Sequence, residues 1–316
     1  MRQIDSHAAM HFQSHHPVIE SVRQIILEEL TAMARVLSLP LNAFPFREIW
    51  AEAETSLDRI AYHLKSGDTV NAGIRTSQEA SGLYVRDRVA RIGCYPVSAD
   101  PFHWGHLLIG LSAMARFKLD KVIYVLSGSD ERKPGMTPPA IRHPVGRTLL
   151  NMFAPLFDYS PVARAGDLDG ESSLFNILAL NPDRTIDAWY IAGADHCRRV
   201  DPGTGNTDTV QKLEDNMSNS IYGFNRRRHH IFPVFVKRGL AECSIKTPLQ
   251  VSYMPGLPFD ASSTVIRRAC AGREGRDKLA LLPHTAYLFI QALGLYTPGR
   301  QVEHKRGGSP PIRRVA

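Results

Sequence analysis

Asp100-Pro101-Phe102-His103-Trp104-Gly105-His106 follows the apolar run RIGCYPV (91–97) and opens a stretch of helical periodicity over 105–117. A strand, a short loop and a helix start, in that order, form the first crossover of a parallel α/β sheet. Two histidines three residues apart at a helix start face the same side. The unpaired N–H groups of a first helical turn, with the positive end of its dipole, favour a phosphate there. Imidazoles donate to phosphoryl oxygens, and Gly105 allows a nucleotide to approach the backbone closely. The competing reading is a pair of solvated or capping histidines. The strand–loop–helix setting favours the phosphate.

The alternation continues on the C-terminal side. KVIYVLSG (121–128), IDAWYIAG (186–193), HIFPVFV (230–236) and LQVSYMPG (249–256) read as strands, with further helical patterns at 146–157 and 172–180. This predicts an α/β protein whose parallel sheet is covered by helices on both faces, with ligands beyond the C-terminal strand ends. The segment 201–219 is polar and reads as a loop. Its GTGNTD lacks the third glycine and the preceding strand of a dinucleotide fingerprint, so it carries no weight. On the N-terminal side, Val18 to Leu37 and Phe46 to Leu64 repeat apolar residues at helical spacing, and Gly67 to Gly82 reads as a connector. Three sections result: a helical extension and connector over 1–88, a catalytic-type domain over 89–296, and a basic, aperiodic tail over 297–316 that is expected to be disordered.

The chain has 316 residues, 43% hydrophobic and 22% charged, enough for one large or two modest domains with a real core. No apolar run approaches the ~18 residues that span a bilayer, and the first residues lack a secretory pattern. A soluble, cytoplasmic protein without membrane partners is expected. The four cysteines lie far apart without a CxxC pair, which argues for reduced thiols. His7, His11, His15 and His16 precede the first helix without companion carboxylates and read as a mobile terminus, so no protein metal site is expected. The net charge of +7 suits anionic partners. With 8% aromatics and no basic stripe interleaved with them, small phosphorylated ligands are favoured over nucleic acid. Arg226-Arg227-Arg228 reads as a solvated loop.

A second element stands near the end of the domain. Ser262-Ser263-Thr264-Val265-Ile266-Arg267 follows the last strand, just after Phe259-Asp260-Ala261. Hydroxyl side chains at a helix start cap it and can equally hold phosphate oxygens, and Arg267 stands one turn in as a fixed cation. Taken alone, this is an ordinary N-cap with a surface arginine.

Together these motifs resemble the nicotinate/nicotinamide mononucleotide adenylyltransferase family within the HxGH nucleotidyltransferase superfamily. DPFHWGHL is similar to its first-strand motif and SSTVIR to its SSTxIR motif. Ile191-Ala192-Gly193-Ala194-Asp195 is similar to its GxD element, and LLPHTAYLFIQALGLY (281–296) to its C-terminal helix. The resemblance spans about 89–296. It implies a Rossmann-like fold and transfer of AMP from ATP to a pyridine mononucleotide, with Mg²⁺ carried on the ATP phosphates. It also implies roles. His103, His106 and Arg267 would be catalytic. Ser98, Asp100, Gly105, Lys133, Gly193, Asp195, Ser262, Ser263 and Thr264 would bind ATP, with Asp195 on the adenosine side. Lys133 reads equally well as a solvated loop lysine, and Arg147 is a weaker phosphate candidate.

Three departures stand out. Pro96-Val97-Ser98-Ala99 replaces the family's glycine-rich residues, so the backbone contact to nucleotide is expected to differ. No tryptophan follows Asp195, since the only ones are Trp50, Trp104 and Trp189. The 1–88 extension is additional and is expected to pack or to oligomerise. Competing functions are weaker. Class I aminoacyl-tRNA synthetases need a KMSKS-like loop, cytidylyltransferases a RTxGISTT motif, and pantetheine-phosphate adenylyltransferases are shorter. Transfer to another phosphate ester, or a silent nucleotide-binding regulator on the same fold, remains the alternative.

Overall fold

The computed structural model describes residues 16–65, 73–77, 88–129, 135–166, 168–193, 196, 207–237, 245 and 247–297. Its centre is a wholly parallel sheet of β1 (Ala90–Val97), β2 (Lys121–Leu126), β3 (Phe157–Ser160), β4 (Ile186–Gly193), β5 (His229–Lys237) and β6 (Ser252–Pro255). In space the strands run β3-β2-β1-β4-β5-β6. The order reverses between β1 and β4, so a crevice opens beyond the C-terminal ends of these two strands. Cys94 lies level with Ile123 of β2 and Tyr190 of β4.

Strand alternation feeds two cores. Val122, Tyr124 and Leu126 join one apolar cluster, while Ile123 and Val125 join the other. Every residue of β2 is buried, which requires cover on both faces. One face carries α3 (Trp104–Phe117), α4 (Pro139–Met152), α7 (Ser263–Cys270) and α8 (His284–Leu293). The other carries α5 (Gly170–Ala179) and α6 (Asp208–Ser218).

Two N-terminal helices, α1 (Pro17–Leu37) and α2 (Phe46–Lys65), extend the first face. The α1 stripe Ile19, Val22, Ile26, Leu30 and Met33 shares its cluster with Phe46, Ile49 and Leu57 of α2 and with Trp104 of α3. Each fully buried side chain of this kind contributes about 1.5–3 kcal/mol. Polar contacts then set the position. Glu29 accepts from the Thr285 N–H at 2.8 Å and from its hydroxyl at 2.6 Å, which caps the start of α8.

Several elements differ from the sequence reading. The pattern at 146–157 predicts a helix, but α4 spans Pro139–Met152 and Phe157 already begins β3. The buried side of α4's first half is Arg142 and His143, so apolar periodicity does not reveal it. Pro139 is accommodated because a first-turn N–H has no helical partner. The four-residue β3 is too short to show a period. Within the stretch read as a loop at 201–219, residues 208–218 form α6. Thr207 caps that helix by accepting from the Val210 N–H at 3.3 Å, and Val210 and Leu213 are its apolar anchors. The strand expected at 249–256 contracts to β6. Of the connector at 67–82 only 73–77 is described, and of the tail only Thr297; His7, His11 and His15 also lie outside the described residues. Cys94 and Cys270 are free thiols, and burial pushes Cys270 up to about 11.

Candidate active site

Beyond β1 the chain turns sharply. Ala99 takes a φ of +51°, a left-handed conformation that costs an alanine roughly 1–2 kcal/mol. Pro96 and Val97 stay within the strand, and a non-glycine residue makes the turn after it.

His103 is the N-cap of α3. Its Nδ1 accepts from the Gly105 N–H at 3.1 Å, and the His103 N–H donates to His106 Nδ1 at 3.3 Å. The two rings stack with centroids 3.9 Å apart and planes 27° apart. With both Nδ1 atoms accepting, each neutral imidazole carries its proton on Nε2. In that tautomer both Nε2 atoms are donors. Gly105 has a packing reason as well: a Cβ there would stand 2.7 Å from Ala261 Cβ and 2.8 Å from His103 Cε1. The start of α3 and the chain entering α7 touch at this glycine.

On the α7 side, Ser262 is the N-cap without a side-chain cap bond, and the Ser263 hydroxyl donates to Pro101 O at 3.2 Å. Arg267 donates through Nη1 to Asp100 O and through Nη2 to Thr264 Oγ1 at 3.2 Å. The guanidinium thus spans the first and last crossovers.

Beneath the crevice lies a buried polar network that sequence reasoning missed. Asp100 Oδ1 accepts from the Tyr296 hydroxyl at 2.6 Å, and Oδ2 accepts from the Thr137 N–H at 3.2 Å. Arg267 Nη1 is 3.8 Å from Asp100 Oδ2. Burial, followed by the Asp100 charge, raises the Tyr296 phenol far above its usual range. Arg142 donates to Thr137 O at 2.6 Å, to Ser98 O, and to Ser127 O and Gly128 O at 2.9 and 2.6 Å. Burial lowers its affinity for a proton and the Asp100 charge opposes this. One buried guanidinium therefore ties the ends of β1 and β2 to the Thr137 loop. The family-like ending Gly294-Leu295-Tyr296 was the available signal for Tyr296. No sequence pattern marks Arg142.

Two adjoining cavities meet at the histidine pair. One, of about 630 Å³, is lined by Ser98, Asp100, Gly193, Ser262, Ser263, Thr264 and Arg267, together with His103 and His106. The other, of about 570 Å³, runs past Gly105 toward Lys237 and Pro258. Ten of the expected site residues are thus brought to one place: nine line the first cavity, the two histidines among them, and Gly105 opens the second. Lys133 and Asp195 lie outside the described residues. Arg147 stands midway along α4 and lines a different cavity.

A parallel sheet of this order, with a histidine pair at its first crossover and an Ser-Ser-Thr…Arg element at its last, has the form of an HxGH nucleotidyltransferase. No family model matches the chain. A probable nicotinate-nucleotide adenylyltransferase of Mycobacterium avium (strain 104) is 31% identical over 199 residues, covering 62% of this chain and 88% of the relative. One of Clostridium tetani is 27% identical over 201 residues, covering 62% and 94%. A solved Plasmodium falciparum nicotinic acid mononucleotide adenylyltransferase in complex with NaAD has 14% identity and a TM-score of 0.47, covering 66% of this chain and 97% of that one. The chain belongs to the nicotinate-nucleotide adenylyltransferase family. Among the described residues no helix is long and apolar enough to cross a membrane.

Proposed function

We propose that this cleft transfers the adenylyl group of ATP to nicotinate mononucleotide, forming the dinucleotide and releasing pyrophosphate, a step of NAD biosynthesis. One observation carries the reading: the stacked His103 and His106 line a single cavity together with Ser262, Ser263, Thr264 and Arg267. The acceptor's phosphate oxygen forms a bond to the α-phosphorus as the bond to the β-phosphate oxygen breaks. The electron pair leaves with pyrophosphate. A phosphate monoester has its second pKa near ~6, so at neutral pH the attacking oxygen needs no general base. Catalysis is then positioning and charge stabilisation without a covalent enzyme intermediate.

His103 and His106 donate from Nε2 to the oxygens around the α-phosphorus, where negative charge concentrates in the transition state. Ser262, Ser263, Thr264 and Arg267 hold the departing β/γ end at the N-terminus of α7. Ser98, Asp100, Gly105 and Gly193 shape the walls, with Asp100 acting through the residues it orients. By family resemblance Lys133 reaches the phosphates and Asp195 the adenosine. Among the described residues no group of three or more His, Cys, Asp or Glu side chains is placed to hold a metal. Asp100 is already engaged by Tyr296 and Thr137. By family resemblance magnesium would arrive on the ATP phosphates and neutralise their charge.

The test is product identification after incubation with ATP, Mg²⁺ and either nicotinate or nicotinamide mononucleotide. Mass spectrometry should find the nicotinate dinucleotide in excess. Absence of both dinucleotides while ATP binds would overturn the proposal in favour of another acceptor or a silent regulator.

A further inference from the structure

A cavity of about 1100 Å³ lies beside the β3 edge of the sheet, and none of its lining residues belongs to the two cleft cavities. His143 and Arg147, four residues apart on α4, present one stripe toward it. Arg164 also lines it, from a tight turn in which its N–H donates to Pro161 O at 2.9 Å and the Gly166 N–H to Ala163 O at 3.2 Å. That turn is firmly seated. A Cβ on Gly128 would lie 2.4 Å from Gly166 Cα and 2.5 Å from Ala163 O. Neither Arg147 nor Arg164 forms an ion pair among the described residues. Asp158, which also lines the cavity, is paired with Lys121 at 2.7 Å.

Tyr159 lines the same cavity as the two arginines. Burial raises its phenol above the usual value and both guanidinium charges oppose the shift, Arg164 before Arg147. Its hydroxyl lies 2.6 Å from His143 Nδ1, and His143 Nε2 lies 3.1 Å from Ser127 O. A carbonyl only accepts, so Nε2 carries the imidazole proton and the tyrosine proton is committed to Nδ1. The phenol oxygen is left as an acceptor for a ligand hydroxyl. Two unpaired guanidiniums and one hydroxyl acceptor are the complement of a phosphate attached to a polyol.

We propose that this cavity is a second, non-catalytic site for a sugar phosphate, with the phosphate held by Arg147 and Arg164 and a sugar hydroxyl donating to Tyr159. The volume admits a whole nucleotide, so ribose 5-phosphate and AMP serve as separate probes. In calorimetric titrations of the full chain, Arg147→Glu/Arg164→Glu should weaken ribose 5-phosphate binding by about tenfold or more. Arg267→Ala, in the cleft, should leave that binding unchanged. Tyr159→Phe should weaken ribose 5-phosphate binding while sparing inorganic phosphate, a separation that mere misfolding would not produce. Tighter binding of AMP at the same arginines extends the site to nucleotides, and equal binding keeps it to the sugar phosphate. The proposal is overturned if ribose 5-phosphate does not bind, or if the double variant and Tyr159→Phe both titrate as the wild type. These readouts do not depend on dinucleotide formation, so either reading can fail without the other.

Discussion

The Tyr296 hydroxyl donates to Asp100 Oδ1 at 2.6 Å across 196 residues of sequence, tying the end of the domain to its first crossover. Asp100 in turn stands beside Arg267, whose Nη1 also donates to the Asp100 carbonyl. The cation expected to hold the departing phosphates is therefore aimed from beneath by a residue of the C-terminal segment. Tyr296→Phe leaves one oxygen of a buried carboxylate unpaired and should cost about 1–3 kcal/mol in denaturant unfolding. KM for ATP should rise with it, as Arg267 loses its alignment. An unchanged KM would show that Asp100 does not orient Arg267.

Gly105 sits where α3 meets the chain entering α7. Gly105→Ala would press a methyl against Ala261 Cβ at 2.7 Å and against the His103 ring. One side is backbone-borne and the other is the stacked imidazole, so neither yields cheaply. A stability loss of about 1–3 kcal/mol is expected, with a larger proportional loss of kcat. Full activity in this variant would mean that the histidine stack is not held by that contact.

Arg267 uses two nitrogens at once, toward Asp100 O and Thr264 Oγ1. Lysine supplies a point charge without the fork. Arg267→Lys should therefore raise KM for ATP by about tenfold and Arg267→Ala by more, since one charge-assisted hydrogen bond is worth about 1.5–3 kcal/mol. Steady-state kinetics at fixed acceptor concentration would measure both.

Burial lowers the His143 pKa below the usual imidazole value of 6.5, and the Arg142 and Arg164 charges add to this against the Ser127 carbonyl. Below pH 6.5 the unfolded chain binds this proton before the native protein does, so the contribution to stability is full above 6.5 and falls as pH drops. Glu171 works in the opposite direction, because burial and then Asp169 raise its carboxyl above 4.5. Comparing wild type with His143→Gln isolates the histidine. In urea melts between pH 7.5 and pH 5.5, both chosen as roughly one unit either side of the imidazole value, the variant should lose less stability. Parallel pH profiles would remove His143 as the cause.

The crossover that decides the fold could be read directly because β1, its loop and the start of α3 are local and follow strong periods. The histidine pair and SSTVIR were found the same way, each a short motif at a helix start. The misreadings have specific causes. The first half of α4 buries Arg142 and His143 in place of apolar side chains, and α6 rests on Val210 and Leu213 in an otherwise polar stretch. The support beneath the cleft was invisible for another reason. Arg142 binds four carbonyls, and Tyr296 meets Asp100 only once the sheet has brought the chain's ends together. Contacts to backbone oxygens leave no trace in residue identity at the partner position.

The most direct test is acceptor-dependent pyrophosphate release from ATP and Mg²⁺, with nicotinate mononucleotide as acceptor, in wild type and His106→Ala. Release by the wild type that needs the acceptor, with kcat lowered about 10²-fold or more in the variant, is predicted from the loss of a fixed donor at the transition state. Equal release by the two proteins, or none from the wild type while it binds ATP, would contradict it.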